Sequence, residues 1–462
     1  MDRHRCTKRS KPGALRLYST AISVALAAIS HGSPVRSQPE KASSLAVQPN
    51  TAARRSFEDD RFGLFITWGL FSLVGDGEWV MEQDKLGIDQ YQKLPPIFNP
   101  TRFRADQWIK LAKASGAKYI TITTKHHDGF CMFGSQLTSY DVVDASHYRG
   151  DPLKEIAAAC HEQKIKLFFY YSLLDWHHPD YFPLGKTGKH SGREIKGTWS
   201  RYVAYYQGQV RELCSSYGEI GGFWFDGMWD KPEADWDLAG TYRLIHELQP
   251  AALIGNNHHG APLSGEDFQV SKEDRASPGA AGSGTPALTA GLPLETCMTI
   301  NRSWAFNARD TEFKSTEDIV QGLIASAGRG SNLSLGIGPR SDGTIDQLIS
   351  QRLLEVGAWL KTYGESVYGT RRGPIPPQPW GVSTSKGDHA GQRIYLHVLK
   401  PSSGKPIAFD PSTPWVPFLF GKSEPLKLTR SKDVLELELP PGALAPIDTI
   451  VVLHPQSSSK GQ

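Results

Sequence analysis

Apolar runs of strand length alternate with helix-spaced apolar positions from about Arg61 to Tyr368. The strand-like runs are Phe62–Trp68, Lys118–Thr124, Lys166–Ser172, Gly221–Phe225, Ala252–Asn256, Leu292–Thr296 and Asn332–Ile337. Between them, Trp108, Leu111, Ala112 and Ser115 share one helical face, with Gly116 as the stop. Asp151-Pro152 opens a second helix as N-cap and first-turn proline, with Leu153, Ile156, Ala157 and Cys160 on one side. Val203, Tyr206, Val210 and Leu213 repeat the spacing, and Ser315 to Asp318 reads as a capping box. Repeated β-α units predict an irregular (β/α)₈ barrel over residues 55–370, with a doubly wound open sheet as the alternative. No glycine-rich phosphate fingerprint follows the first strand, which argues against a dinucleotide fold.

Beyond Gly373 the pattern changes. Pro374, Pro376, Pro377 and Pro379 form a stiff connector, and Arg393–Leu399, Val434–Leu439 and Thr449–Leu453 follow as strands. Leu435 to Leu439 alternates apolar and acidic residues with period two. Residues 374–462 therefore read as a C-terminal β-sandwich. From Ala276 to Gly291 the chain is Ala, Gly, Ser, Pro and Thr, which predicts a mobile loop over the face where barrel strands end.

Charge adds mainly exclusions. The 462 residues carry 51 basic and 48 acidic side chains, a net +3, with no basic stripe for nucleic acid. Basic residues (Arg3, Arg5, Lys8, Arg9, Lys11, Arg16) precede the apolar run Ala21–Ile29, and small polar residues continue to Ser37. That order matches a signal peptide over residues 1–38, hence a secreted or periplasmic protein. The run is too short to span a bilayer, and the chain shows no other membrane candidate. Cys131, Cys160, Cys214 and Cys297 fall in or beside core elements without metal-type spacing, so they read as free and buried. Oligomeric state is not legible.

The chemistry gathers at strand ends. Phe223-Trp224-Phe225 runs into a lone acid, Asp226, at the carboxyl end of a barrel strand, where such barrels hold their catalytic groups. Other strands end at Thr67-Trp68, followed by Glu78-Trp79; at Lys125-His126-His127-Asp128; at Tyr170-Tyr171 with Asp175 to His178; and at Asn256 to His259. Such a pocket reads either as a zinc site or as a sugar site. Adjacent histidines in extended chain point to opposite sides, and no His-x-His or His-x-x-x-His spacing occurs, so sugar recognition is favoured.

Several of these strings together, Phe62-Gly-Leu-Phe-Ile-Thr-Trp-Gly69, Glu78-Trp79, Lys125-His-His-Asp-Gly-Phe130, Tyr170-Tyr-Ser172, Trp224-Phe-Asp-Gly227, Glu295 to Thr299 with Ser303-Trp304, and Asn332 to Pro339, resemble the α-L-fucosidases of glycoside hydrolase family 29. The resemblance runs in order from about Phe57 to Thr370. It implies a retaining exo-glycosidase that removes terminal α-L-fucosyl residues from oligosaccharides or glycoconjugates, with no metal or other cofactor and no nucleic-acid or membrane partner. Its nucleophile falls on Asp226, and its sugar-binding residues fall on Trp68, Glu78, Trp79, His126, His127, Tyr170, Trp224 and Trp304. The general acid/base falls on Glu273, with Glu266 and Glu295 as fallbacks.

The chain departs from the family pattern at Thr67, where many members have histidine. It departs again at Asn256, Asn257 and His258, where an arginine is common, and after Asp267-Phe268, where the position expected for the acid holds Lys272 or, with one shift, Glu273. A glycosidase acting on another α-L-sugar and a lectin-like fucose binder are the competing expectations.

Overall fold

The structure is a computed structural model that describes residues 50–194, 196–272, 291–388, 391–400, 407–409, 415–431 and 434–456. The expected signal peptide, Glu273 and residues 276–290 of the Ala/Gly/Ser/Pro/Thr stretch lie outside these residues.

Eight parallel strands form one nearly closed barrel: β1 (Phe62–Ile66), β2 (Tyr119–Lys125), β3 (Lys166–Ser172), β4 (Gly222–Asp226), β5 (Leu253–Asn257), β6 (Gln269–Lys272), β7 (Leu294–Thr299) and β8 (Ser331–Ile337). Their order is β5-β4-β3-β2-β1-β8-β7-β6. The expected barrel is thus present, with one strand that the apolar pattern does not mark. β6 is four residues, Gln-Val-Ser-Lys, with a single aliphatic side chain. Its pairing with β7 makes it a strand, not its composition.

The helices follow their local signals. Asp151 accepts from the amide of Lys154 and caps Pro152–Gln163, and Ser315 and Asp318 form the reciprocal capping box of Thr316–Gly328. The apolar faces of the helices and the outer faces of the strands share one large core. A second cluster fills the barrel axis: Phe57, Phe65, Tyr119, Phe168, Tyr170, Trp224, Leu253, Phe268 and Cys297. Rings this large require small neighbours. A Cβ on Gly63 would lie 2.3 Å from the Tyr119 ring, and one on Gly255 would lie 2.3 Å from Phe268. Phe57, from helix Thr51–Asp60, stacks on this column beside Tyr119, Phe168 and Phe268.

Beyond the barrel, β9 (Arg371–Arg372), β10 (Gly381–Lys386), β11 (Arg393–Val398), β13 (Trp415–Leu419) and β16 (Thr449–Pro455) form an antiparallel sheet in the order β13-β16-β11-β10-β9. A second sheet is β12 (Ile407–Phe409), β15 (Val434–Leu437) and β14 (Leu428–Ser431). Ile394, Leu396, Leu435, Leu437, Val451 and Leu453 fill the space between them. The opposite faces of β10, β11 and β16 turn Val382, Tyr395, Ile450 and Val452 into the core shared with the barrel. Cys131, Cys160, Cys214 and Cys297 are buried, and among the described residues they form no disulfide.

The barrel has one seam, between β5 and β6, and Asp267 closes it. Its amide donates to the carbonyl of Ile254 (2.6 Å), and its Oδ2 accepts from the Ile254 amide (3.0 Å). A side chain thus stands in for the missing ladder. Arg54 grips Oδ1 through Nε (2.9 Å) and Nη2 (2.8 Å), and His246 Nε2 lies 3.1 Å from Oδ2. The Asp267 side chain is 2% exposed, so deleting it leaves the half-buried Arg54 without its carboxylate and the Ile254 amide without its acceptor. Asp267→Ala is expected to lower unfolding free energy by about 3–5 kcal/mol, read as a fall in the urea midpoint.

Candidate active site

The carboxyl ends of the strands enclose a cavity of about 240 Å³ lined by Phe65, Thr67, Glu78, Trp79, Thr123, His126, His127, Tyr170, Trp224, Asp226, Trp229, Asn257, His259, Val270, Cys297 and Trp304. Period two is visible in this wall: Phe65 and Thr67, and Trp224 and Asp226, are alternate residues of one chain facing inward. The register sets Ser172, Asp226 and Asn257 side by side across β3, β4 and β5.

Asp226 is held by donors on both oxygens. Oδ1 accepts from the amide of Gly227 (2.8 Å), Trp229 Nε1 (2.9 Å) and Asn257 Nδ2 (3.2 Å). Oδ2 accepts from the Tyr170 hydroxyl (2.9 Å), and His127 Nε2 stands 3.8 Å away. Burial raises the Asp226 pKa above the usual carboxylate range, and the Trp229, Tyr170 and Gly227 bonds and the charge of His259 oppose it. Gly227 makes the first of these bonds possible. It turns with φ +88°, and a Cβ there would lie 2.5 Å from Leu174.

Glu78 is carried on the loop after β1, which is laced to the loop after β7. Gly77 donates to Phe306, Ala308 donates to Gly75, and Glu78 Oε2 accepts from the Ala305 amide (3.1 Å). Burial raises the Glu78 pKa against backbone donors. The histidines are held neutral: burial and the neighbouring Lys125 push His126 down to about 3, and His127 lies well below the usual 6.5. Nδ1 of His126 is buried without a partner, as is Oγ1 of Thr67. Beneath them Lys125 and Asp175 pair at 3.1 Å, fully buried.

Of the residues expected to bind sugar, Glu78, Trp79, His126, His127, Tyr170, Trp224 and Trp304 meet Asp226 in this cavity. Trp68 does not. It follows the inward Thr67, so it points outward, donates from Nε1 to the carbonyl of Arg340 and packs on Phe98, Phe103 and Trp108. The expectation that adjacent histidines diverge also fails, because β2 ends at Lys125 and the chain turns at His126, whose carbonyl accepts from Gly129. Among the described residues, no three His, Cys, Asp or Glu side chains converge as a metal site would require. Trp229 was not anticipated, and Asn257 was expected only as part of the Asn256 to His259 strand end, although each leaves a signal as a partner of Asp226. Trp229 stands three residues past Asp226 on a 3₁₀ turn (Met228–Asp230), and Asn257 is its neighbour in register.

A family model described as alpha-L-fucosidase matches residues 29–365. The chain belongs to the α-L-fucosidase family. It is a glycoside hydrolase by that membership. It is 29% identical to the plasma alpha-L-fucosidase of Homo sapiens over 381 residues, 76% of this chain and 77% of that protein. The corresponding protein of Rattus norvegicus is 30% identical over 422 residues, 83% and 86% of the two chains. Among solved structures, alpha-L-fucosidase isoenzyme 1 from Paenibacillus thiaminolyticus superposes with TM-score 0.76 at 32% identity, covering 88% of this chain and all (100%) of that one. A family 29 enzyme from Bacteroides thetaiotaomicron, trapped as a covalent intermediate with 2-fluoro-fucosyl fluoride, gives TM-score 0.75 at 25% identity over 88% of this chain and 96% of that one.

The two fallback acids lie outside the cavity wall. Glu266 is bound by the Tyr242 hydroxyl, His258 and the Leu263 amide, and so holds its own loop. Glu295 is buried in β7 beneath the site and accepts from Tyr119 (2.6 Å) and Trp224 Nε1 (2.9 Å). Burial raises its pKa from the usual 4.5 to about 7. The folded chain therefore keeps this proton where the unfolded chain has lost it. The stabilisation is complete below about 4.5 and is lost as pH rises through about 7. Between pH 5 and 8, chemical denaturation should show wild type losing on the order of 3 kcal/mol more stability than Glu295→Gln, which stays neutral throughout.

Proposed function

We propose that this chain is a retaining α-L-fucosidase that removes terminal fucosyl residues from oligosaccharides or glycoconjugates through a covalent ester on Asp226. The observation that carries the reading is the asymmetry of the Asp226 carboxylate. Oδ1 takes three hydrogen bonds, while Oδ2 takes one. The saturated oxygen orients the group, and Oδ2 keeps a lone pair for the anomeric carbon. Bond formation at Oδ2 inverts that carbon as the aglycone oxygen leaves with a proton from the acid. Water, deprotonated by the same group, then displaces the ester and inverts the centre again. Trp79, Trp224 and Trp304 supply apolar walls for the sugar faces, and Glu78, His126 and His127 supply polar groups for its hydroxyls.

Glu273 is the proposed acid/base. It follows β6, whose Val270 lines the cavity, and a retaining enzyme needs its second carboxyl about 5–5.5 Å from the first. The protein is proposed to be exported, on the strength of the basic stretch before Ala21–Ile29. Among the described residues no helix is long and apolar enough to cross a membrane.

Asp226→Gly should lower turnover of nitrophenyl α-L-fucoside by roughly four orders of magnitude. Azide should restore it and yield the azide of opposite anomeric configuration. A variant with near-normal turnover would remove Asp226 from this role. Glu273→Ala should nearly abolish cleavage of fucosyl-oligosaccharides but spare the first step on nitrophenyl fucoside, whose leaving group departs with little help. The diagnostic observation is a burst followed by accumulation of ester on Asp226. Normal oligosaccharide cleavage by this variant would move the acid elsewhere.

A further inference from the structure

Ser172 is fully buried and lies beside Asp226 in the β3–β4 register. Its hydroxyl oxygen is 2.6 Å from the carbonyl of Leu174 and 2.7 Å from Nδ1 of His127. A carbonyl only accepts, so at that distance the single hydroxyl proton of Ser172 is committed to Leu174. The bond to His127 must then be donated by the ring, which places a proton on Nδ1. Burial, with His126 and Lys125 nearby, keeps this imidazole neutral, and a neutral ring has one N–H. Nε2 is therefore a lone pair. It stands 3.8 Å from Oδ2 of Asp226, in the cavity wall. Two acceptors so placed leave room for one sugar hydroxyl within hydrogen-bond reach of both.

We propose that Ser172 is a positioning residue that fixes His127 as the hydrogen-bond acceptor for the sugar hydroxyl next to the anomeric carbon. The inference rests on the fucosidase reading of the cavity. That hydroxyl lies beside the carbon that Oδ2 attacks. As positive charge develops there, the hydroxyl becomes a better donor and its bond to Nε2 strengthens, which favours the transition state over the bound substrate. The opposite tautomer would offer the sugar hydroxyl an N–H donor in place of an acceptor. The Leu174 carbonyl that sets the direction is itself held in place. Lys125 Nζ approaches it at 3.5 Å, and the Leu173 amide donates to the carbonyl of Asp226 at 2.7 Å.

The test compares Ser172→Ala with the unaltered protein on nitrophenyl α-L-fucoside and on its 2-deoxy counterpart. Ser172→Ala should lower kcat/KM about tenfold on the fucoside, the scale of one lost hydrogen bond, and leave the 2-deoxy substrate nearly unaffected. Ser172→Thr, which keeps the hydroxyl, should recover most of the loss. A general loosening of the site would harm both substrates alike, and equal losses would overturn the proposal. Neutron diffraction of the unaltered protein reads the same feature directly: a proton on His127 Nδ1 supports it and a proton on Nε2 overturns it. If the unaltered protein does not turn over fucosides at all, the proposed activity fails, and the ring proton still decides the tautomer.

Discussion

Burying a carboxylate at the end of β4 is the constraint that the rest of the site answers. Left alone in the barrel mouth, Asp226 would be pushed by burial toward holding its proton. Four donors oppose that tendency, each from a different source: a turn amide, an indole three residues on, a neighbouring strand and a tyrosine two residues before the end of β3. Because those donors come from β3, β4 and β5, the charge state of one side chain depends on the registration of three strands. The glycine after Asp226 belongs to the same arrangement, since only a residue without a Cβ brings its amide back onto the carboxylate here.

The aromatic column under the cavity gives this arrangement its rigidity. Phe65, Tyr170 and Trp224 line the cavity and also pack downward onto Tyr119, Phe168, Phe57 and Phe268. Edge-on and tilted contacts at 5.0–5.7 Å leave these rings little room to turn. Glu295 extends the same logic. Its carboxyl is shared by Tyr119 below and Trp224 above, so a buried polar bond joins floor to wall. At the seam between β5 and β6 a side chain, Asp267, supplements the sparse main-chain pairing.

Polar groups around the cavity divide by charge state. The two histidines are neutral because burial disfavours the cation and Lys125 lies close. They therefore offer directional hydrogen bonds rather than charge, which suits recognition of a neutral sugar. The buried Lys125–Asp175 pair sits one layer behind, with Asp175 Oδ1 also accepting from the amides of His177 and His178. Removing either partner would leave an uncompensated charge under the site.

The sequence by itself determined the barrel class, the end of the barrel that holds the cavity and the acid that lies in its wall. Each of these rests on short-range physics: strand-length apolar runs, an N-cap at Asp151, a capping box at Ser315, and an acid placed where a buried strand stops. Adjacent positions near strand ends were less legible. Trp68 and Trp229 are both tryptophans near a strand end, yet one is core and the other touches the carboxylate. What separates them is where the strand gives way to a turn, and that depends on pairing with neighbours. β6 was invisible for the same reason, since Gln-Val-Ser-Lys becomes a strand only through β7. The direction of the His127 proton lies furthest from sequence. It is fixed by a hydroxyl at the end of β3 and a carbonyl two residues beyond it, and only the folded backbone brings those atoms to the ring.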